Sequence, residues 1–236
     1  MRKLIYISLL FVFYSCKKEK TNIVSKSETL AEFNEIALND FFDVYLTEDS
    51  IFSIEVKTNE DLLEQITYRI TDHVLTISNN QSLKWRNPQN NAVSLYISGI
   101  GLKKVIANET CNIRSLNAIT TREFGIVLRS KANTADILLN NKVVFYWNDF
   151  PCGGKLTLSG TTKELKLWNT AIMSVDAKYL SCEKAFVDNN SKGNCEVNVS
   201  QRIEYSIEGE GDIIVYGNPA EIIEKSKNSS GEFILR

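Results

Sequence analysis

The sequence predicts an all-β protein: a parallel, right-handed β-helix-like solenoid preceded by a β-rich region with one short helix. Three observations predict it. Apolar pairs recur about every 20 residues through the second half of the chain, their neighbours alternate with period two, and asparagine fills 23 of 236 positions. Asparagine is poor inside helices and favours turns, so its excess suits a chain of short strands and many corners.

The elements follow in order. Arg2 and Lys3 precede an apolar run, Leu4 to Tyr14, broken only by Ser8. Eleven residues are too short to span a bilayer as a helix but fit a signal-peptide core. Ser15 and Cys16 follow at once, then Lys17-Lys18-Glu19-Lys20. This resembles a bacterial lipoprotein signal, with residues 1–15 removed and Cys16 lipidated as the new N-terminus. The bulky Phe13 and Tyr14 depart from the strictest form of that signal, and an ordinary signal peptide with an incidental cysteine is the alternative. Residues 16–32 then read as a lipidated cysteine and flexible tether, because they are polar and lack apolar periodicity.

Residues 33–104 form the N-terminal β region. Phe42, Val44 and Leu46 alternate, as do Phe52, Ile54 and Val56, and the polar residues 47–50 between them suggest a hairpin. Asn59 is a candidate N-cap, followed by Glu60 and Asp61, with Leu62, Leu63 and Ile66 sharing a helical face. Strands follow around 68–70, 74–77 and 93–97. A turn lies at Asp72-His73, and a polar loop at 79–91 contains Trp85 and Pro88.

Residues 105–220 carry the repeat, and 221–236 form a C-terminal segment. The pairs are Val105/Ala107, Ile126/Leu128, Val144/Tyr146, Leu165/Leu167, Ala185/Val187 and Tyr205/Ile207. A second series, Ile113, Ile137, Leu156, Val175, Val197 and Ile213, follows them, mostly with a small residue two positions earlier. Fixed periods near 20 mark solenoids, in which each repeat buries its apolar face only against its neighbours. The Leu and Asn spacing of leucine-rich repeats is absent; a two-sheet β-sandwich is the competing fold.

The chain resembles the putative auto-transporter adhesin, head GIN domain family of Bacteroidetes lipoproteins. The resemblance rests on residues 33–46 (FNEIALNDFFDVYL), Asn59 to Leu63, Val74 to Ile77, Gly209 to Ile213 and Tyr216 to Pro219. It spans roughly residues 33–220. It implies a secreted β-helical fold and an adhesin-like role, and supplies no catalytic residues.

Composition narrows function further. With 27 Lys+Arg against 29 Asp+Glu, the chain lacks the basic excess of a nucleic-acid binder. One histidine, His73, leaves little for zinc sites or histidine triads, and no Cys-x-x-Cys spacing suggests a metal, so no metal or cofactor is expected. Cys111, Cys152, Cys182 and Cys195 read as buried free thiols; Cys152 with Cys182 is the one pairing left open. If the apolar pairs point inward, the pleat sends Phe145, Trp147, Lys166, Trp168, Phe186 and Asp188 outward onto one face. Such a face contacts a glycan or an envelope protein, or else lies under the N-terminal region or a loop. Asn148, Asn169 and Asn189 follow at equivalent positions and predict an amide ladder. The expectation is a non-catalytic, lipid-anchored envelope module with adhesin-like binding, its membrane contact being the N-terminal lipid. A polysaccharide lyase or hydrolase is the alternative, and a purely structural envelope component a third reading.

Overall fold

The computed structural model describes residues 22–82, 91–149 and 151–236. The signal segment 1–15, Cys16, residues 17–21, and Trp85 and Pro88 lie outside the described residues. The described residues are 68% strand, wound as a β-solenoid of about six turns with a single short helix among them.

The turns are not laid down in sequence order. β2 (Glu35–Leu38) and β3 (Phe42–Thr47) form one level of the stack. β2 pairs in parallel with β6 (Val74–Asn79) on one side and β8 (Lys104–Ala107) on the other. β3 pairs likewise with β7 (Val93–Ser98) and β9 (Cys111–Ser115). The first strand pair is therefore held between two levels formed later in the sequence, and pairing continues without a break across residues 104 and 105.

From β8 onward, spatial and sequence order agree, and all pairs are parallel. β10 (Glu123–Leu128) lies between β8 and the second half of β11 (Asn133–Asn148). β11 pairs with the first half of β12 (Gly153–Ser191), whose later part pairs with β13 (Cys195–Ile207). β13 pairs with β14 (Ile213–Tyr216) and β15 (Glu221–Lys227), and β14 with β16 (Phe233–Leu235). The segment 221–236 thus supplies a further level of the stack.

Three expectations for the N-terminal part are corrected. The tether does not extend to residue 32: β1 (Ile23–Thr29) pairs antiparallel with β4 (Ser53–Asn59) along its whole length. Isolated polar residues gave no sign of this, because β1 is exposed on nearly every side chain and its stability comes from backbone bonds. The hairpin of β3 with β4 does not form, since β7 lies between them, parallel to β3 and antiparallel to β4. The helix is one turn, α1 (Glu60–Leu63), and Ile66 opens strand β5 (Ile66–Thr71) instead of continuing the helical face. Asn59 sits at the N-cap without a side-chain cap bond; the Glu60 N–H donates to the Asn22 carbonyl at 3.0 Å instead. Strands β1, β4 and β5 are the antiparallel ones, and they cover the open edge that parallel β6 and β7 would otherwise present.

Every residue of the six apolar pairs and of the second series is buried, as their spacing predicts. Their register agrees at some levels, with Val105/Ala107 opposite Ile126/Leu128 and Val144/Tyr146 opposite Leu165/Leu167, and differs at others. Leu128 lies opposite Asn148, not Tyr146, and Val187 opposite Tyr205, not Ile207. Ile113 lies opposite Ala135, and Ala135 opposite Leu156. Each slip is two residues, which preserves the buried face, so hydrophobic alternation cannot detect it.

Polar groups are also drawn into this core, a tyrosine hydroxyl and several asparagines among them. Tyr146 is fully buried, its hydroxyl has no hydrogen-bond partner among the described residues, and burial pushes its pKa up. Tyr146→Phe is therefore expected to leave stability unchanged or raise it by up to about 1 kcal/mol, read as the urea midpoint. A clear loss would show that the hydroxyl is bonded in solution.

Asn148, Asn169 and Asn189 are buried, where backbone carbonyls and N–H groups need partners. Asn148 accepts from the Thr170 N–H at 2.8 Å and donates to the Thr170 carbonyl at 2.9 Å. Asn169 donates to the Met173 carbonyl at 2.8 Å and to Asn189 Oδ1 at 3.0 Å. Asn189 donates to the Gly211 carbonyl at 2.9 Å. Only the Asn169–Asn189 contact is amide to amide, so the expected ladder is mainly a set of side chains bracing backbone corners.

All four described cysteines are free and buried. Burial pushes the thiols of Cys111, Cys182 and Cys195 up to about 12, and that of Cys152 in the same direction. They are small core hydrophobes with little thiolate at neutral pH. Cys152 and Cys182 are not bridged.

Candidate functional site: an outer face of aromatic and charged side chains

Because side chains alternate across a strand, a buried inner column fixes an outer one. Beside Val144 and Tyr146, Phe145 and Trp147 point outward; beside Leu165 and Leu167, Glu164, Lys166 and Trp168; beside Ala185 and Val187, Lys184, Phe186 and Asp188. Parallel register stacks them, with Phe145 opposite Lys166 and Trp147 opposite Trp168. One level further, Lys184 lies opposite Arg202 and Phe186 opposite Glu204.

The four aromatics are not equally open. Phe145 is half-buried because its ring lies across Gly125, where an added Cβ would come within 2.0 Å of it. Trp147 is half-buried next to the Arg129 guanidinium, 5.2 Å from its ring centre. Arg129 is itself held by Asp149 at 3.0 Å and Asn108 at 3.0 Å. Trp168 is 38% exposed, and its ring lies 5.6 Å from Phe186 at a 49° tilt. Two rings at that tilt form an open wedge and do not cover each other.

A shallow depression of about 330 Å³ opens at this wedge, lined by Glu164, Lys166, Trp168, Lys184, Phe186, Arg202 and Glu204. Lys166 pairs with Glu164 at 3.4 Å. Arg202 pairs with Glu204 at 2.5 Å and Glu221 at 3.2 Å, and Lys225 reaches Glu204 at 3.0 Å. Hydrogen bonds from Lys225 and Arg202 hold the Glu204 carboxyl below its usual range. Lys184, by contrast, makes no ion pair or hydrogen bond among the described residues.

Of the residues expected on this face, Phe145, Trp147, Lys166, Trp168 and Phe186 form one continuous surface. Asp188 is on the same face but outside the lining of the depression. Its carboxyl is pushed above the usual range, first by burial and then by Glu208. The charged form is thus disfavoured in the fold, so this group lowers stability above its folded pKa and ceases to do so as pH falls below the unfolded value, about 3.9. Asp188→Asn is expected to melt higher than the parent at pH 7 and to lose that advantage near pH 3.5. Equal melting temperatures at pH 7 would contradict it.

The sequence reading missed Glu164, Lys184, Arg202 and Glu204. Their outward parity was readable from Ala185/Val187 and Tyr205, but aromatic content drew attention to single residues where the site is set by stacking between levels.

A family model described as putative auto-transporter adhesin, head GIN domain, matches residues 32–219. The chain belongs to this family. Its fold is similar to solved structures at low sequence identity. A putative adhesin of Bacteroides fragilis superposes with a TM-score of 0.84 at 18% identity, covering 92% of this chain and 98% of that one. A putative adhesin of Parabacteroides merdae gives 0.60 at 18% identity, over 90% and 96%. A protein of Parabacteroides distasonis described as a putative lipid binding protein gives 0.63 at 14% identity, over 91% and 97%. No curated protein matches. At these identities the likeness establishes the shared solenoid, while the head GIN membership supports a cell-envelope or surface setting.

Proposed function

We propose that the chain is a non-catalytic, adhesin-like binding module of the cell envelope, and that it holds its ligand on the outer face centred on Trp168. The observation that carries this reading is the Trp168–Phe186 wedge, aromatic surface left open at 38% exposure of Trp168 beside a ring of charged side chains. Exposed rings rimmed by polar groups lose little entropy on binding and gain contact area, which is why they recur at contact sites. Family membership supports the same setting.

The test is retention of the purified protein on a glycan array and on immobilised envelope fractions, beside a Trp147→Ala/Trp168→Ala variant. Retention of the parent and its loss in the variant, with unchanged circular dichroism, is the expected result. Identical retention discards this face.

The depression also favours a second reading, because it places Glu164 and Glu204 beside Lys166, Lys184 and Arg202. Cleavage of a glycosidic bond by two carboxyl groups needs one to stay protonated as an acid. Glu204 is held the opposite way by two cations. Incubation with acidic and neutral polysaccharides is expected to release no new reducing ends; release would favour the enzyme.

Lipid attachment at Cys16 belongs to the same proposal, supported by the apolar run and the Lys-rich residues that follow it. Since β1 starts at Ile23, six residues (17–22) would link the lipidated cysteine to the fold, a reach of at most about 25 Å over seven residue steps. The end of the solenoid bearing β1 and β4 would then face the bilayer and leave the aromatic face along its side. Cys16→Ser should abolish incorporation of a labelled fatty acid; retained label would remove the anchor.

A further inference from the structure

Resting on the reading of this face as a binding site, we propose that its ligand is an acidic glycan: a pyranose ring stacked on Trp168, bearing a carboxylate paired to Lys184. The assignment comes from which charges are already spent. Five ionisable residues line the depression, Glu164, Lys166, Lys184, Arg202 and Glu204. Glu164 is held by Lys166, and Glu204 is shared by Arg202 and Lys225. Arg202 uses its second branch on Glu221. What remains is one ammonium, Lys184, without a partner among the described residues and on the same strand side as Phe186 two residues on.

The shape agrees with the charge. A sugar ring presents one flat face of C–H bonds to an aromatic plane and an edge of hydroxyls to polar groups. Trp168 supplies the plane, and Phe186, tilted at 49°, closes one side. Glu164 and Glu204 line the depression, where carboxylates can accept from sugar hydroxyls while their charge stays balanced by lysine and arginine. The volume, about 330 Å³, is at the lower end of the ~300–1,000 Å³ typical of ligand pockets. A short stretch of an oligosaccharide fits this, with its remaining rings running along the face towards Trp147. A neutral glycan would leave Lys184 unpaired, and a basic ligand would meet it as a like charge.

The experiment is a titration followed by tryptophan fluorescence, using trimers of galacturonate and of glucuronate, each beside its carboxyl-reduced neutral counterpart. Purified full-length protein, Lys184→Ala and Trp168→Ala are compared. The parent should bind at least one acidic trimer about tenfold more tightly than its neutral counterpart, the usual scale of a charge-assisted hydrogen bond. Lys184→Ala should remove that preference and the salt dependence of binding while keeping affinity for the neutral trimer. Trp168→Ala should weaken both. Equal affinity for acidic and neutral trimers in the parent, or an acid preference surviving in Lys184→Ala, overturns the acidic-glycan proposal and leaves the binding face standing. Failure of every trimer to bind overturns the proposal as well. Binding that is untouched in Trp168→Ala overturns the face itself. Because Trp168 and Lys184 are both surface side chains, unchanged melting temperatures separate loss of binding from loss of fold.

Discussion

Gly154→Ala is expected to destabilise the protein by about 3 kcal/mol or more, enough to lower the urea midpoint sharply. Gly154 has φ +120°, a region that side-chain-bearing residues avoid. A Cβ there would stand 1.8 Å from the Asn133 carbonyl oxygen and within 2.9 Å of two more of its backbone atoms. That backbone cannot retreat easily. Asn133 is fully buried, its Oδ1 accepts from the Cys111 N–H at 3.0 Å, and its amide donates to the Ser130 carbonyl at 2.9 Å. Gly101→Ala serves as the comparison, since Gly101 has φ +82° but nothing within 4 Å of the added carbon. It isolates backbone strain, about 1–2 kcal/mol. If the two variants lost the same stability, the close approach of neighbouring levels at Gly154 would be refuted.

Asn169→Leu should cost about 1–3 kcal/mol, although it adds apolar surface to a buried site and removes the Asn169 Oδ1, which has no hydrogen-bond partner among the described residues. Asn169 is fully buried and joins two levels through Met173 and Asn189. Leucine would orphan the Asn189 Oδ1. The Met173 carbonyl would keep the Ser191 hydroxyl at 2.8 Å, which limits the loss. Asn169→Asp should behave differently, because its carboxyl would face that carbonyl and a buried thiol, Cys195. Burial would raise its pKa, so its folded state would be favoured at low pH and lost as pH rises through that value. Asn190→Ala, one residue beyond the buried Asn189 and exposed, should change stability by less than about 0.5 kcal/mol. Urea titrations at pH 4 and pH 7 check all three.

These two positions show what the sequence could and could not convey. Period-two alternation identified the buried residues from Val105 to Ile213 correctly, because inward parity survives a two-residue slip. The same insensitivity hid the register, which set Leu128 against Asn148 and Val187 against Tyr205. Gly154 looked like a small inward residue in the slot also held by Cys111 and Ala135. It is exposed, and its role is backbone geometry. Asn169 was legible as a repeated corner residue, but its bonds run mostly to backbone, which no side-chain pattern predicts. The insertion of β2 and β3 between later levels was not legible either, since it depends on pairings tens of residues apart. For the outer face, the aromatic members followed from parity alone. The cations of the depression required knowing that Lys184 faces Arg202 and that Phe186 faces Glu204.

A ligand seated in the Trp168–Phe186 wedge must perturb the Trp168 indole. The indole N–H resonances of ¹⁵N-tryptophan-labelled protein, assigned with Trp147→Ala and Trp168→Ala, report this during titration with a glycan the protein retains. The Trp168 resonance is expected to shift most, Trp147 less, and both to saturate with the binding curve. Saturable binding that leaves both resonances unmoved would contradict that seating.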